Sequence, residues 1–309
     1  MNIVFFGTPD PAARCLQALI DSQETISLAV SQPDRKKGRG LEISATPVKL
    51  LAQKHKIEVL SPEKVKDQGF IEKIKAANPD LIVIVAFGRI LPKEILSIPK
   101  YGAINVHASL LPKYRGAAPI QWAIFNGEKE TGVTIMYLNE TLDTGDIILQ
   151  EKVLIDYKDN SITLSDKLFD IGSSALLKAI TQIKGNAAKR IPQDDNKASY
   201  ASIITKKSGE IDWRKPAEQI YDQIRAFVPW PTAYTFFNGK ILKIWEASMA
   251  NKPENSVPGE IFFENNTLKV SCGKQALHLL FVQAEGGKKL PAQDFARGHN
   301  LISKKILPS

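Results

Sequence analysis

Five consecutive residues, Leu81-Ile82-Val83-Ile84-Val85, place apolar side chains on both faces of any strand they form. Side chains alternate across a strand, so a run of this kind needs cover above and below. That condition is met at the centre of a parallel sheet wrapped by helices on both sides. The flanking sequence supplies such a frame. Asn2–Phe6 is a second apolar run, stopped at Gly7-Thr8-Pro9-Asp10, after which Ala12, Cys15, Leu16, Leu19 and Ile20 recur on one helical face. Ile26–Val30, Ile57–Leu60 and Ala103–His107 follow as strands, with helices from Pro47 to about Lys54, over Glu63–Ala77 and from about Ala118. Pro47 suits a first helical turn, where its missing N–H has no partner to lose. Strands at Thr131–Leu138 and Ile147–Ile155 and a long helix at Ile162–Ile183 complete the pattern. The alternation predicts an α/β domain over residues 1–183 with a Rossmann-like, mainly parallel sheet.

The composition changes at Lys184. Residues 184–204 are rich in Gly, Asn, Asp and Pro with few large apolar side chains, the pattern of a linker. Beyond it, Pro216–Phe227 is helical, and short strands follow at Ala233–Phe237, Lys240–Ala247, Gly259–Phe263, Leu268–Ser271 and Ala276–Gln283. Asn238-Gly239 between two of them is a strong two-residue hairpin signal. Residues 205–309 therefore predict a small OB-like β-barrel. Its aromatics Trp213, Trp230, Tyr234, Phe236 and Phe237 are expected in the core, since alternate positions of a small barrel point inward.

With 309 residues, 43% hydrophobic and 24% charged, the chain matches a soluble globular protein rather than a disordered or fibrous one. No apolar stretch approaches the roughly 20 residues of a spanning helix, and the N-terminus lacks a basic leader, so a cytoplasmic location is expected. Two cysteines, Cys15 and Cys272, are too few for a disulfide framework or a cysteine-rich zinc site. His55, His278 and His299 have no companions at ligand spacing, so no metal is expected. Gly7 opens no dinucleotide fingerprint, because the other two glycines of that motif are missing. Lys and Arg outnumber Asp and Glu by 41 to 33, and the net charge of +8 fits an anionic partner without demanding one.

Asn105-Val106-His107 is more informative. Two residues apart on a strand, Asn105 and His107 share a face, at the carboxyl end where open α/β sheets hold their ligands. An amide and an imidazole together can polarise a carbonyl and stabilise an oxyanion. A capping Asn and a buried, hydrogen-bonded His would look the same in isolation. The turn Leu142-Asp143-Thr144-Gly145-Asp146 adds a carboxylate that could orient the imidazole and raise its basicity, although turns favour Asp and Gly in any case. Such a trio would be an acyl-transfer apparatus without its own nucleophile. Arg35, Lys36, Lys37 and Arg39, flanked by Gly38 and Gly40, form a loop with the composition of a solvated surface.

Taken together, several segments resemble the 10-formyltetrahydrofolate-dependent formyltransferases. They are Asn105-x-His107, Ser109-Leu110-Leu111-Pro112-x-Tyr114-Arg115-Gly116 and Asp143, with Phe5-Phe6-Gly7-Thr8-Pro9-Asp10 and Gly116-Ala117-Ala118-Pro119-Ile120-Gln121. Downstream, Ile211-Asp212-Trp213 and Arg225-Ala226-Phe227-x-Pro229-Trp230-Pro231 extend the likeness to nearly the whole chain. The resemblance implies a one-carbon transferase whose formyl donor is 10-formyltetrahydrofolate. It carries Asn105, His107 and Asp143 over as catalytic residues, with His107 protonated and kept charged by Asp143. Ser109, Leu110, Leu111 and Pro112 carry over as the tetrahydrofolate-binding stretch. The basic loop narrows the resemblance to the branch that acts on initiator Met-tRNA in translation initiation. There Arg35, Lys36, Lys37 and Arg39 would meet the acceptor end of the tRNA. The C-terminal domain would hold its body, with Lys206, Lys207, Arg214, Lys215, Lys240, Lys243, Lys288, Lys289, Lys304 and Lys305 as candidate phosphate contacts. Such a protein is expected to be a monomer without membrane attachment. Formylation of a sugar-nucleotide or glycinamide-ribonucleotide amine is the alternative, and a non-catalytic RNA-binding module is disfavoured by retention of the trio. Phe87 stands where the family often has Tyr, which would remove a hydroxyl near the folate pocket, and Arg89 is a charged departure.

Overall fold

Leu81–Val85 is buried along its whole length, between the strands Asn2–Gly7 and Ala103–His107, and runs parallel to both. The structure, a computed structural model, describes residues 1–22, 24–37, 42–299, 301 and 305–308. Two compact units account for the chain. The first is Met1–Pro119, Glu130–Leu154 and Ser165–Ala201; the second is Ile120–Lys129, Ile155–Leu164 and Ser202–Ser309.

In the first unit the sheet order is Ile147–Leu154, Glu130–Tyr137, Ala103–His107, Leu81–Val85, Asn2–Gly7, Thr25–Val30 and Val59–Leu60. The strands from Ala103–His107 to Val59–Leu60 are parallel, and the two at the other edge are antiparallel. The sheet is therefore Rossmann-like and mainly parallel. Val4, Phe6, Ile82 and Ile84 pack with Phe70 and Phe87 on one face, where Phe6 meets both rings edge-on. The helix Asp10–Asp21 buries Ala12, Cys15, Leu16 and Leu19, the stripe legible in the sequence. The helix expected from Glu63 begins instead at Gln68, because the Asp67 carboxylate accepts the Phe70 N–H at 3.0 Å and sets the start there.

Two segments read from composition as irregular carry backbone pairing. Arg35–Lys37 is a strand paired antiparallel with Glu42–Ser44, so the basic run enters as one arm of a hairpin rather than as a plain loop. Arg39, Gly38 and Gly40 lie outside the described residues. The segment read as a linker follows a bonded path through Ala201. Ile191 and Ile147 exchange backbone hydrogen bonds of 2.8 and 3.0 Å, and Tyr200–Ala201 pairs parallel to Arg115–Gly116. Its attachment through backbone groups leaves no apolar pattern to read.

The second unit holds an antiparallel sheet ordered Ala233–Phe237, Lys240–Ala250, Ala276–Ala284, Thr267–Ser271, Glu260–Glu264 and Lys305–Ile306, with Leu290–Pro291 paired to Ala276–Ala284. Asn238 and Gly239 turn the first hairpin at φ of 50° and 76°, as a two-residue turn with two positive φ angles requires. The sheet curls into an OB-like barrel. Its two ends approach where Thr235 Oγ1 donates to the Pro308 carbonyl at 3.1 Å. Trp213, fully buried, donates its indole N–H to the same hydroxyl and packs with Ile220, Leu242, Ile244 and Leu279. Phe237 is buried as expected, and Tyr234 and Phe236 are half-buried. Trp230 is not core: it is 53% exposed, because it lies outside the strands and their alternation does not govern it. Trp213→Ala should lower the stability of this unit by about 3–5 kcal/mol. Urea unfolding followed by circular dichroism checks this; an unshifted midpoint would show that the indole anchors nothing.

Candidate active site

The strand Ala103–His107 pairs with Leu81–Val85 on one side and antiparallel with Glu130–Tyr137 on the other, setting Asn105 opposite Met136 and His107 opposite Thr134. Alternation puts Asn105 and His107 on one face at the carboxyl end of the parallel strands. Asn105 is half-buried, and its side-chain amide has no hydrogen-bond partner among the described residues. His107 is buried, with Nε2 3.0 Å from the Tyr114 carbonyl oxygen and Nδ1 3.7 Å from Asp143 Oδ2. A carbonyl only accepts, so Nε2 carries a proton and donates it to Tyr114. Nδ1 then faces the carboxylate across a gap too wide for a direct hydrogen bond.

Asp143 is held by its own turn. It adopts a φ of 54°, and its Oδ2 accepts the Gly116 N–H at 2.8 Å. Asn139 Oδ1 accepts from the Thr141 N–H at 3.1 Å and from the Thr141 and Thr144 hydroxyls at 3.0 Å, closing the loop on itself. Gly145 permits the close approach that follows, since a Cβ there would lie 1.8 Å from the Tyr137 carbonyl oxygen. Asp143 and His107, distant in sequence, are thus adjacent.

Burial pushes the His107 imidazole below its ordinary value, and the charge of Asp143 and the Tyr114 carbonyl offset only part of that shift. Burial therefore favours the neutral imidazole, against the carboxylate-held cation that the resemblance implies. Desolvating the ring costs the charged form more than one carboxylate at 3.7 Å returns. Nδ1 and the Asp143 carboxylate, on the same side as the Asn105 amide, are an arrangement that can accept a proton.

Ser109, Leu110, Leu111 and Pro112 follow directly. Ser109 is fully buried and donates to the Lys113 carbonyl at 2.6 Å. Leu111 packs with Met136 and Ile147, whereas Leu110 and Pro112 are half-buried, with Leu110 lying over Gly132. Of the four, only the Leu110 and Pro112 side chains reach the surface. Thr134 and Gln150, which no motif marks, hold this segment. Thr134 Oγ1 accepts from the Leu111 N–H at 3.1 Å and donates to the Ser109 carbonyl at 2.6 Å, and Gln150 Nε2 donates to the Leu111 carbonyl at 2.9 Å. One signal was available for Thr134: it is a hydroxyl inside the otherwise apolar run Val133–Met136.

Arg35 is exposed at the start of its hairpin, and Lys36 and Lys37 pair through their backbones with Ile43 and Glu42. Phe87 is a core residue, 2% exposed and edge-on to Phe6, so a tyrosine hydroxyl at this position would start from the sheet core rather than from a pocket wall. Arg89 donates to the Pro62 and Glu63 carbonyls at 2.8 Å, bracing a neighbouring loop. Among the described residues no group of three or more His, Cys, Asp or Glu is arranged to hold a metal. The thiols are buried and unreactive, with Cys15 pushed up to about 11 and Cys272 to about 12 by desolvation.

The His107 shift links pH to stability. The unfolded chain protonates this ring near its ordinary value of 6.5 and the folded site does so at lower pH. Unfolded molecules therefore bind more protons across that interval. The contribution is present above pH 6.5 and is lost as pH falls through the folded value. Ring NMR should give a His107 midpoint below 6.5, and lower again in Asp143→Asn, which removes the carboxylate facing it. A midpoint above 6.5 in the native protein would contradict the preference for the neutral ring.

Residues 1–180 match the family described as Formyl transferase, and residues 203–300 match Formyl transferase, C-terminal domain. The chain is 46% identical to a methionyl-tRNA formyltransferase of Caldanaerobacter subterraneus subsp. tengcongensis, over 99% of this chain and 100% of that protein. It is 48% identical to that of Halalkalibacterium halodurans, over 96% and 95% of the two. Among solved structures, an N-formyltransferase from Helicobacter canadensis in complex with folinic acid and dTDP-3-aminofucose shares the fold. It superposes with a TM-score of 0.67 at 21% identity, over 93% of this chain and 99% of that one. The chain belongs to the formyl transferase family.

Proposed function

We propose that this protein transfers the formyl group of 10-formyltetrahydrofolate to the α-amino group of methionine esterified to initiator tRNA. The observation that carries the chemistry is the pairing of Asp143 with His107 beside Asn105, with the Ser109 hydroxyl bonded into its own loop. A site built this way suits a substrate that supplies its own nucleophile, and an amine does so. The acceptor is inferred from relatives bearing the name methionyl-tRNA formyltransferase at 46% and 48% identity over nearly their full lengths.

In this reading the amine nitrogen attacks the formyl carbon and forms the new C–N bond. The Asn105 amide N–H stabilises the oxyanion of the tetrahedral intermediate. The His107–Asp143 pair accepts the proton released by the attacking amine and returns it to N10 as the formyl carbon–N10 bond breaks. The products are formylated amine and tetrahydrofolate, with no net proton change. Leu110, Pro112 and the backbone of Ser109–Pro112 form one wall for the folate. Arg35, Lys36, Lys37 and Arg39 engage the acceptor end of the tRNA, and residues 205–309 hold its body. Lys206, Lys207, Lys240 and Lys288, all exposed, are the best placed cations there. Arg214 already forms a two-point ion pair with Asp212 at 2.8 and 3.0 Å, and Lys289 lies over Trp245 and Phe281. The protein acts as a cytoplasmic monomer in this scheme.

Purified protein, 10-formyltetrahydrofolate and charged initiator tRNA should yield formyl-methionyl-tRNA, with a sugar-nucleotide amine as the competing acceptor. Product from the sugar alone would overturn the assignment. Asn105→Ala and Asp143→Ala should each lower kcat by about a hundredfold or more with folding intact. Arg39→Ala should raise KM for Met-tRNA while leaving KM for the formyl donor unchanged; equal losses would remove the basic loop from tRNA recognition. Affinity for tRNA should fall steeply with salt.

A further inference from the structure

Gln193 lies between the Asp143 turn and the guanidinium of Arg115. Its Nε2 donates to the carbonyls of Asp143 at 2.9 Å and Gly145 at 2.8 Å. Its Oε1 accepts from Arg115 Nε at 3.0 Å and Nη2 at 2.8 Å. Two amide protons meet two carbonyls and two lone pairs meet two guanidinium donors, so the side chain's bonding capacity is filled. Reversing the amide would set its oxygen against two carbonyl oxygens and its NH₂ against a cation. The orientation is therefore fixed by every partner at once.

Arg115 is itself anchored. It is 3% exposed, its Nη2 also donates to Asp195 at 2.8 Å, and its own N–H donates to the Ser199 carbonyl at 2.8 Å. The next residue closes the circuit, since the Gly116 N–H is the donor on Asp143 Oδ2. A single Arg-Gly pair thus holds Asp143 twice, at the carboxylate directly and at the main chain through Gln193. The second hold matters because Asp143 sits at a positive φ, a conformation that an L side chain keeps only when its surroundings impose it.

We propose that Gln193, braced by Arg115, is a positioning residue that pins the Asp143 turn and so sets the carboxylate against His107. The inference rests on the reading of Asp143 and His107 as the proton-accepting pair. It places part of the catalytic apparatus in the segment whose composition suggests only a linker.

The test uses the full-length protein with Gln193→Ala, Gln193→Glu and Asp143→Asn. Turnover, both KM values, the unfolding midpoint and the His107 NMR titration are measured for each. Gln193→Ala should lower kcat about 10- to 100-fold while KM for the formyl donor changes by less than about twofold. Asp143 is the charged group facing His107, so loosening its turn should move the His107 midpoint downward, in the direction seen for Asp143→Asn. Gln193→Glu keeps an acceptor for Arg115 but turns an oxygen toward the two carbonyls. Its kcat should fall at least as far as in Gln193→Ala, with the unfolding midpoint better preserved. An unchanged His107 midpoint in Gln193→Ala overturns the positioning role whatever the turnover, as does native kcat in either Gln193 variant. Native turnover in Asp143→Asn would instead overturn the catalytic reading on which the inference stands.

Discussion

Parallel pairing of the five strands from Ala103–His107 to Val59–Leu60 is the constraint from which the site follows. Parallel neighbours cannot be joined by a tight hairpin, so each strand leaves its carboxyl end into a loop that must cross to a helix. All of those loops open at one edge of the sheet. Asn105 and His107 stand there because their strand ends there, and Ser109–Pro112 because it is the exit from that strand. The antiparallel strand Glu130–Tyr137 runs back along Ala103–His107 and ends opposite Ile104, and the turn that follows folds back until Asp143 stands 3.7 Å from His107.

Desolvation governs what the assembled residues can do. A buried imidazole is stabilised in its neutral form, and a buried carboxylate is tolerated only where donors meet it. His107 has one nitrogen committed to Tyr114, and Asp143 has one oxygen committed to Gly116. His107 Nδ1 stays outside the Tyr114 bond and faces the same Asp143 Oδ2 that accepts from Gly116, at 3.7 Å. The surrounding polar atoms are tightly accounted for: Thr134 makes hydrogen bonds to Ser109, Leu111 and Gln150, and Gln193 to Asp143, Gly145 and Arg115. In a low-dielectric setting such bonds are costly to leave half made, which holds the loops in one arrangement.

Elements built from side-chain burial were readable before folding. The double-faced run at Leu81–Val85, the stripe on Asp10–Asp21 and the Asn238-Gly239 hairpin all have periodic or conformational signatures, and each occurs where its pattern predicts. Elements held through backbone groups were not. The 184–204 segment pairs through Ile191 and Tyr200–Ala201, and Arg35–Lys37 pairs in a hairpin although its composition resembles a loop. Trp230 shows the converse limit. An aromatic residue invites a core assignment, but only strand alternation could have supported it, and Trp230 is outside any strand.

By itself the sequence determined the layered α/β frame, the antiparallel barrel that follows it, and the placement of an amide and an imidazole on one face of a strand end. Each depends on local periodicity or on residue types that a motif makes visible. Only the tertiary structure decided that Asp143 meets His107, that burial disfavours the charged imidazole, and that Gln193 reaches back to the turn. Those facts depend on distance and solvent exclusion between segments far apart in the chain. Spacing along a sequence carries neither quantity.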